Sequence, residues 1–359
     1  MKPPKTSINW RRITENKLFF PLAALAIILL FDLIFIPNFF SISYQQGHLY
    51  GSLIDILRNS MPVVALSIGM TLVIATGGID LSVGATMAIV SSVAALLINP
   101  FITGTSLAGI QNDPNFSNNP FWMVIILPLL VSLVCGLWNG WLVAYGKVQP
   151  MVATLILMIS GRGIAQLITN SQKIQIFYKP FVFIGHGWLI LPFSFYIVVV
   201  LFIIAWLLSR RTSIGLFIES VGVNSRSSLF SGINEKQVKL FAYVFCGFCA
   251  GVAGLIDTSN ISTSDASSLG MNLELDAILA VVIGGTMMSG GRYSLMASAI
   301  GGLVMQAVTT TMYAMGVSAN SLLAVKGVVV IFLILLYSQQ VQDFIKKITR
   351  QNRLKETKS

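Results

Sequence analysis

The stretch that most constrains the fold is Gly77-Gly78-Ile79-Asp80-Leu81-Ser82-Val83-Gly84. It interrupts an otherwise apolar run over 61–98. Left whole, that run is too long for one span, because about 20 apolar residues cross a bilayer. The paired glycines can adopt backbone angles that end a helix. Asp80 can start the next one by accepting from its first free amides. The pattern therefore predicts helix, break, helix, over 61–76 and 81–98. Both pieces are short for full spans, which leaves two readings open. The break dips below the membrane surface, where non-helical backbone must be buried in protein or line a polar cavity. Alternatively, it is a tight cytoplasmic turn between two ordinary spans.

Composition settles the class. Apolar residues make up 55% of the chain and charged residues 10%, against soluble averages of about 45–50% and 25%. This predicts an all-α polytopic membrane protein. The net charge of +10 does not point to nucleic acid, because the basic residues fall mostly in loops and tails, where they set orientation. The first apolar stretch, 18–36, carries Asp32 and lacks a small-residue cleavage site. It reads as a retained span, not a signal peptide. Cys246 and Cys249 have CxxC spacing, but they sit among Phe, Ala and Gly with no His nearby. They read as small apolar residues, and neither metal nor cofactor is expected.

About ten transmembrane helices follow from the apolar pattern, near 18–36, 61–76, 81–98, 121–145, 151–169, 188–208, 240–258, 273–288, 294–315 and 321–338. Residues 53–58 look like a short amphipathic helix at the interface, and 99–120 and 170–187 read as polar loops. A membrane domain, 18–338, is thus flanked by basic tails, 1–17 and 339–359, with a hydrophilic segment at 209–239. With the N-terminus inside, 18 of the 23 Lys and Arg fall on the cytoplasmic side and 3 outside, Arg162 and Lys326 lying within spans. That asymmetry puts both termini in the cytoplasm. Ala75-Thr76-Gly77-Gly78 before one helix and Ile283-Gly284-Gly285-Thr286 before another suggest an internal repeat, and paired interruptions of this kind mark central pathways in transporters.

A chain of this class can be a transporter subunit, a channel, an integral enzyme or a scaffold. No Ser/His/Asp or HExxH pattern is present, and no GxxxxGK[ST] phosphate loop, so the chain has no P-loop route to ATP. Charges within spans then carry weight. Arg162 and Gln166 share a helix face, and Arg162 lies about 18 Å along its span from Pro150. It should face the bundle interior with a partner. Glu274 or Asp276 is the expected partner, either beside a pathway or as a structural ion pair. Gly161 and Gly163 beside it would allow another helix to approach. Asn139 is a polar group seeking a neighbour. In 209–239, a short helix from near Asn224 to Gly232 fits capping rules. It rests on the headgroups or docks another protein.

Three separated stretches together resemble one family. Gly77–Gly84 is one, Asp276-Ala277-Ile278-Leu279-Ala280-Val281-Val282-Ile283-Gly284-Gly285 with Ser289-Gly290-Gly291-Arg292 is a second, and Val221-Gly222-Val223-Asn224 to Gly232-Ile233 lies between them. Their order and spacing resemble the permease subunits of bacterial sugar ABC importers of the ribose, xylose and galactose type. Residues 50–57, 150–158 and 161–169 look most like a galactofuranose permease. Ser227 and Ser228 stand where the family usually has two alanines, and Thr286-Met287-Met288 where it often has Thr-Ser-Leu.

The resemblance implies a multi-pass inner-membrane subunit that moves a monosaccharide but is not itself an enzyme. Its implied partners are a separate ABC ATP-binding subunit, a periplasmic sugar-binding protein and a second permease, homologous or identical, in membrane lipid. Gly77, Gly78, Asp80, Ser82, Gly84, Asn139, Arg162, Gln166, Glu274 and Asp276 are expected along the pathway or in its support. Glu219, Gly222, Asn224 and Gly232 are expected to couple to the ATPase. A permease for another solute (another pentose or hexose, an amino acid, a nucleoside, a quorum signal) and a secondary sugar carrier are the competing readings.

Overall fold

The computed structural model describes residues 18–45, 48–99 and 117–337. The two basic tails and most of the 99–120 loop lie outside the described residues. Besides helices and their connections, the described residues hold two short antiparallel strand pairs, β1 (Ser43–Gln45) with β2 (His48–Tyr50) and β3 (Ile174–Gln175) with β4 (Thr263–Ser264). Its membrane helices are α1 (Phe19–Phe35), α2 (Ser52–Ala75), α3 (Val83–Ile98), α4 (Phe121–Ala144) and α5 (Pro150–Ile168). After α6 (Lys179–His186) come α7 (Phe193–Arg211), α8 (Ser213–Val223), α9 (Ser225–Phe230) and α10 (Glu235–Ile261). The last three are α11 (Leu273–Ile283), α12 (Leu295–Ala314) and α13 (Ala319–Tyr337).

Ten of these coincide with the ten apolar segments, but they are not ten equal spans. Six described helices, α2, α4, α5, α7, α10 and α12, are long and apolar enough to cross a membrane. The expected 273–288 span is only the 11 residues of α11, about 16 Å at 1.5 Å per residue. That is roughly half of a hydrocarbon core about 30 Å thick. Residues 53–58 do not form a separate interfacial helix but are the first turns of α2. The supposed loop 170–187 contains α6, which buries Phe181 and Ile184.

Burial divides helices that look alike in sequence. Helix α2 is buried without interruption from Ser60 to Ala75. Its hydroxyls are satisfied on their own backbone, Ser67 Oγ donating to Val64 O (2.8 Å) and Thr71 Oγ1 to Ser67 O (2.6 Å), so they can sit at the centre of the bundle. Helices α10 and α12 pack directly on it. By contrast, α4 turns Leu130, Val134 and Trp138 outward, and α7 exposes Val200 and Ile203. These apolar faces suit lipid tails.

The helix breaks shape the interior. Helix α2 ends in a Schellman motif: Gly77 takes φ +81°, its N–H donates to Ile74 O (2.9 Å), and Gly78 N–H donates to Val73 O (3.1 Å). Helix α11 ends the same way, with Gly285 N–H on Val282 O (2.9 Å) and Thr286 N–H on Val281 O (3.3 Å). A third break, 262–272, enters from the opposite end. At its top, β3 (Ile174–Gln175) pairs with β4 (Thr263–Ser264), and Ser264 shares a hydrogen bond with Ser91 (2.8 Å). At its bottom, Gly270 lies against Gly84. Ser91 and Gly84 are seven residues apart on α3, so the loop descends by about 10 Å.

The opposing breaks therefore meet inside the bundle, where Gly84 faces Gly270 O and Glu274 Oε2. A Cβ at Gly84 would lie 2.5 Å from Glu274 Oε2 and closer still to Gly270 O. At Gly163, by contrast, a Cβ would meet nothing within 4 Å. Gly84→Ala should destabilise the protein by about 1–3 kcal/mol through overpacking, while Gly163→Ala should not. Thermal unfolding of the two variants in the same detergent checks this, and equal losses would contradict it.

Candidate functional site

The segment after α2 is held from three sides. Asp80, 1% exposed, accepts from Ser82 N–H (2.9 Å) and Ser82 Oγ (2.7 Å) through Oδ1. Asn139 Nδ2 from α4 donates to Ser82 Oγ (2.7 Å) and more weakly to Asp80 Oδ1 (3.4 Å). Ile79 O accepts from Thr154 Oγ1 of α5 and Tyr243 OH of α10, each at 3.4 Å. Asp80 is thus not the N-cap of α3. That position belongs to Ser82, without a side-chain cap bond. The carboxylate instead closes the turn over 80–82 that leads into the helix, because the backbone is still non-helical at Asp80. Asn139 finds its neighbour here.

Arg162 lies near enough to Glu274 for the two charges to interact, but it makes no hydrogen bond or contact ion pair with Glu274 or Asp276 among the described residues. Its Nη1 donates to Leu269 O (2.6 Å) and Ala266 O (3.2 Å), supplying the loop's carbonyls with a partner that a helix would otherwise provide. Gly161 packs against Ala85 and Ile89 of α3, as close approach requires, whereas Gly163 has no such neighbour. Gln166 is half-buried one turn beyond. Glu274 is buried, with no hydrogen bond to Oε2 among the described residues. Asp276 forms a 2.6 Å ion pair with Lys326, tying α11 to α13.

At the other end, α8 closes over the end of α2 and over Gly290 and Gly291, which lead from the α11 break into α12. Gly291 N–H donates to Ala75 O, the last residue of α2 (2.9 Å). Gly222 lies so close to Ala75 O and Gly291 N that a Cβ there would overlap both. Gly290 adds to the joint: a Cβ on it would stand 2.9 Å from both Gly222 O and Gly77 N. Helix α9 follows at once. Asn224 Oδ1 accepts from Ser227 N–H (3.1 Å) as its N-cap. Gly232, at φ +82°, ends it, with Ile233 N–H on Ser228 O (3.0 Å). The expected helix between Asn224 and Gly232 is present, but α8 in front of it was not foreseen. Glu219 on α8 lines a cleft of about 300 Å³ with Ser209, Arg210 and Tyr293. Burial pushes the Tyr293 phenol up from its ordinary range. It stays neutral there and shares a 2.5 Å hydrogen bond with Ser209 Oγ.

The three sequence stretches separated by some 200 residues therefore meet at one joint, Ala75–Gly77, Gly222 and Gly290–Gly291. Tyr243, Gly270 and the Ala75–Gly291 contact escaped sequence reasoning. Gly270-Met271-Asn272, a glycine turn just before a short helix, was the available signal for the second. Among the described residues there is no cluster of metal-binding side chains, and Cys135, Cys246 and Cys249 are free and buried.

Broken membrane helices joined to an exposed helical pair define a multi-pass permease, a moving scaffold without a reaction centre of its own. The chain belongs to the family described as branched-chain amino acid transport system / permease component, which matches residues 52–337. It is 42% identical over 333 residues to the galactofuranose transporter permease protein YtfT of Escherichia coli (strain K12), covering 92% of this chain and 93% of that one. It is 33% identical to the fructose import permease protein FruF of Bifidobacterium longum (strain NCC 2705), over 96% and 94% of the two chains. Identity to the ribose import permease protein RbsC of Haemophilus influenzae is 32%, over 83% and 86%. No solved structure matches the chain. The protein is a permease subunit of a multi-pass inner-membrane importer whose ATPase activity lies in a separate subunit.

Asp80→Asn keeps an oxygen that can accept from Ser82, whereas Asp80→Leu leaves Ser82 and Asn139 without it, at about 1–3 kcal/mol. Transport by correctly inserted protein should fall less for Asn than for Leu. Equal loss would show that the charge, not the turn, is needed.

Proposed function

We propose that this chain forms the translocation path of an ATP-driven ABC importer for a monosaccharide, with galactofuranose as the leading substrate. The observation that carries the mechanism is the joint beneath α8, through which one exposed element touches both helix breaks. The substrate reading rests on 42% identity along nearly the whole chain to a galactofuranose permease, with fructose and ribose permeases also similar.

On this reading both termini and the α8–α9 face are cytoplasmic, which the 18 to 3 distribution of basic residues supports. The membrane domain runs over 18–338 between two basic tails. A separate ATP-binding subunit docks on α9, where Leu229 is 61% and Phe230 92% exposed. Two neighbouring apolar side chains on a cytoplasmic surface are suited to a partner's pocket. Movement of α9 is passed by α8 to the ends of α2 and α11. A periplasmic binding protein delivers sugar at the opposite end, and a second permease covers part of the outward apolar surface. Asp80, Ser82, Asn139 and Arg162 then support the path by fixing its broken backbone. Glu219, Gly222, Asn224 and Gly232 shape the coupling element.

The test is uptake into liposomes holding the permease, its ATPase and its binding protein. ATP-dependent import of galactofuranose supports the proposal. Import of an amino acid instead, or sugar uptake without the ATPase, contradicts it. Phe230→Ala should lower ATP-driven uptake about tenfold or more, as loss of an interface anchor does, while the permease inserts normally. Unchanged uptake would remove α9 as the docking point.

A further inference from the structure

A cavity of about 420 Å³ opens at the end of the bundle away from α8 and α9. Its size falls within the range of about 300–1,000 Å³ typical of small-molecule sites. The descending 262–272 loop supplies much of its wall, through Thr263, Asp265 and the backbone at 268–271. Helix α10 supplies Asp257, which sits 22 residues beyond Glu235 and one turn before the helix ends. Asp257 makes no hydrogen bond or ion pair among the described residues. Its neighbour Asp265 is already engaged by Lys173 (3.0 Å), Ser267 and Ser268. The two carboxylates are therefore not equivalent: one holds the loop together and the other is left facing the cavity.

We infer that this cavity is a transit site for a neutral, hydroxyl-rich solute, with Asp257 as the carboxylate that accepts its hydroxyls. An ionisable side chain within an apolar helix is costly and needs a partner, and Asp257 has none among the described residues. A carboxylate offers two oxygens and accepts only, which suits adjacent hydroxyls that donate. Met271 and Leu273 add apolar surface to the lining, which suits the C–H face of a sugar ring. Arg162, holding the loop through Ala266 and Leu269, is a positioning residue for this wall. The inference rests on the monosaccharide reading above and adds where in the chain the sugar is received.

Met271, 61% exposed, gives a direct readout. The native cysteines are buried, so Met271→Cys can be labelled with a small polar maleimide in the complete permease–ATPase complex without binding protein. High galactofuranose should slow labelling several-fold, and Asp257→Leu should abolish that protection. Asp257→Asn, which keeps one accepting oxygen, should retain part of it and guards against misfolding of the Leu variant. Absence of protection, protection that survives Asp257→Leu, or protection by sodium alone would overturn the site. Wild-type sugar uptake measured in parallel separates the two proposals: uptake without protection sinks only the site, and amino acid uptake sinks both.

Discussion

Inside a bilayer every backbone amide and carbonyl needs a partner, and helices supply these partners within themselves. This chain breaks its helices three times and has to satisfy the freed groups by other means. Two breaks close on themselves through left-handed glycines, Gly77 and Gly285. The third, 262–272, borrows a cation from a neighbouring helix, Arg162, whose guanidinium takes two of its carbonyls. Interior polar residues elsewhere have matching roles: Asp80, Ser82 and Asn139 fix the extended stretch after α2. Some of the bundle's buried polar residues thus support non-helical backbone, while hydroxyls such as Ser67 and Thr71 bond their own helix.

That support explains why the glycines matter mechanically. Where two breaks meet from opposite ends, Gly84 against Gly270, there is no room for a side chain. Where α8 meets the end of α2 and the Gly290–Gly291 turn, Gly222 has the same constraint. Contacts this close transmit displacement, because packed interfaces shift between arrangements instead of yielding gradually. A subunit moved by a separate ATPase needs a connection of this kind.

Much of this was legible in the sequence. The break at 77–84, ten apolar helices and a capped helix after Asn224 follow from spacing and charge, whereas the three glycine stretches were singled out together only by their resemblance to one family. The depth of the breaks did not. The 11-residue α11 read as an ordinary span, and nothing marked 262–272 as re-entrant, because hydropathy counts residues and not their height in the bundle. Arg162 was correctly placed facing the interior. Its partners were backbone carbonyls, which carry no mark in sequence, so the nearby Glu274 and Asp276 looked the better match. Asp276 had its own counter-ion, Lys326, 50 residues further on. Asp257 sat within an apolar segment like any other, and only the fold shows that it faces a cavity.

The central claim is that α8 holds both breaks through one joint. Hydrogen–deuterium exchange on the intact complex, comparing wild type with Gly222→Val, tests it most directly. Segments 76–82 and 284–294 should lose protection together, because each is held where Gly222 meets Ala75 and Gly291. Faster exchange confined to 213–223, with both breaks unchanged, would contradict the account.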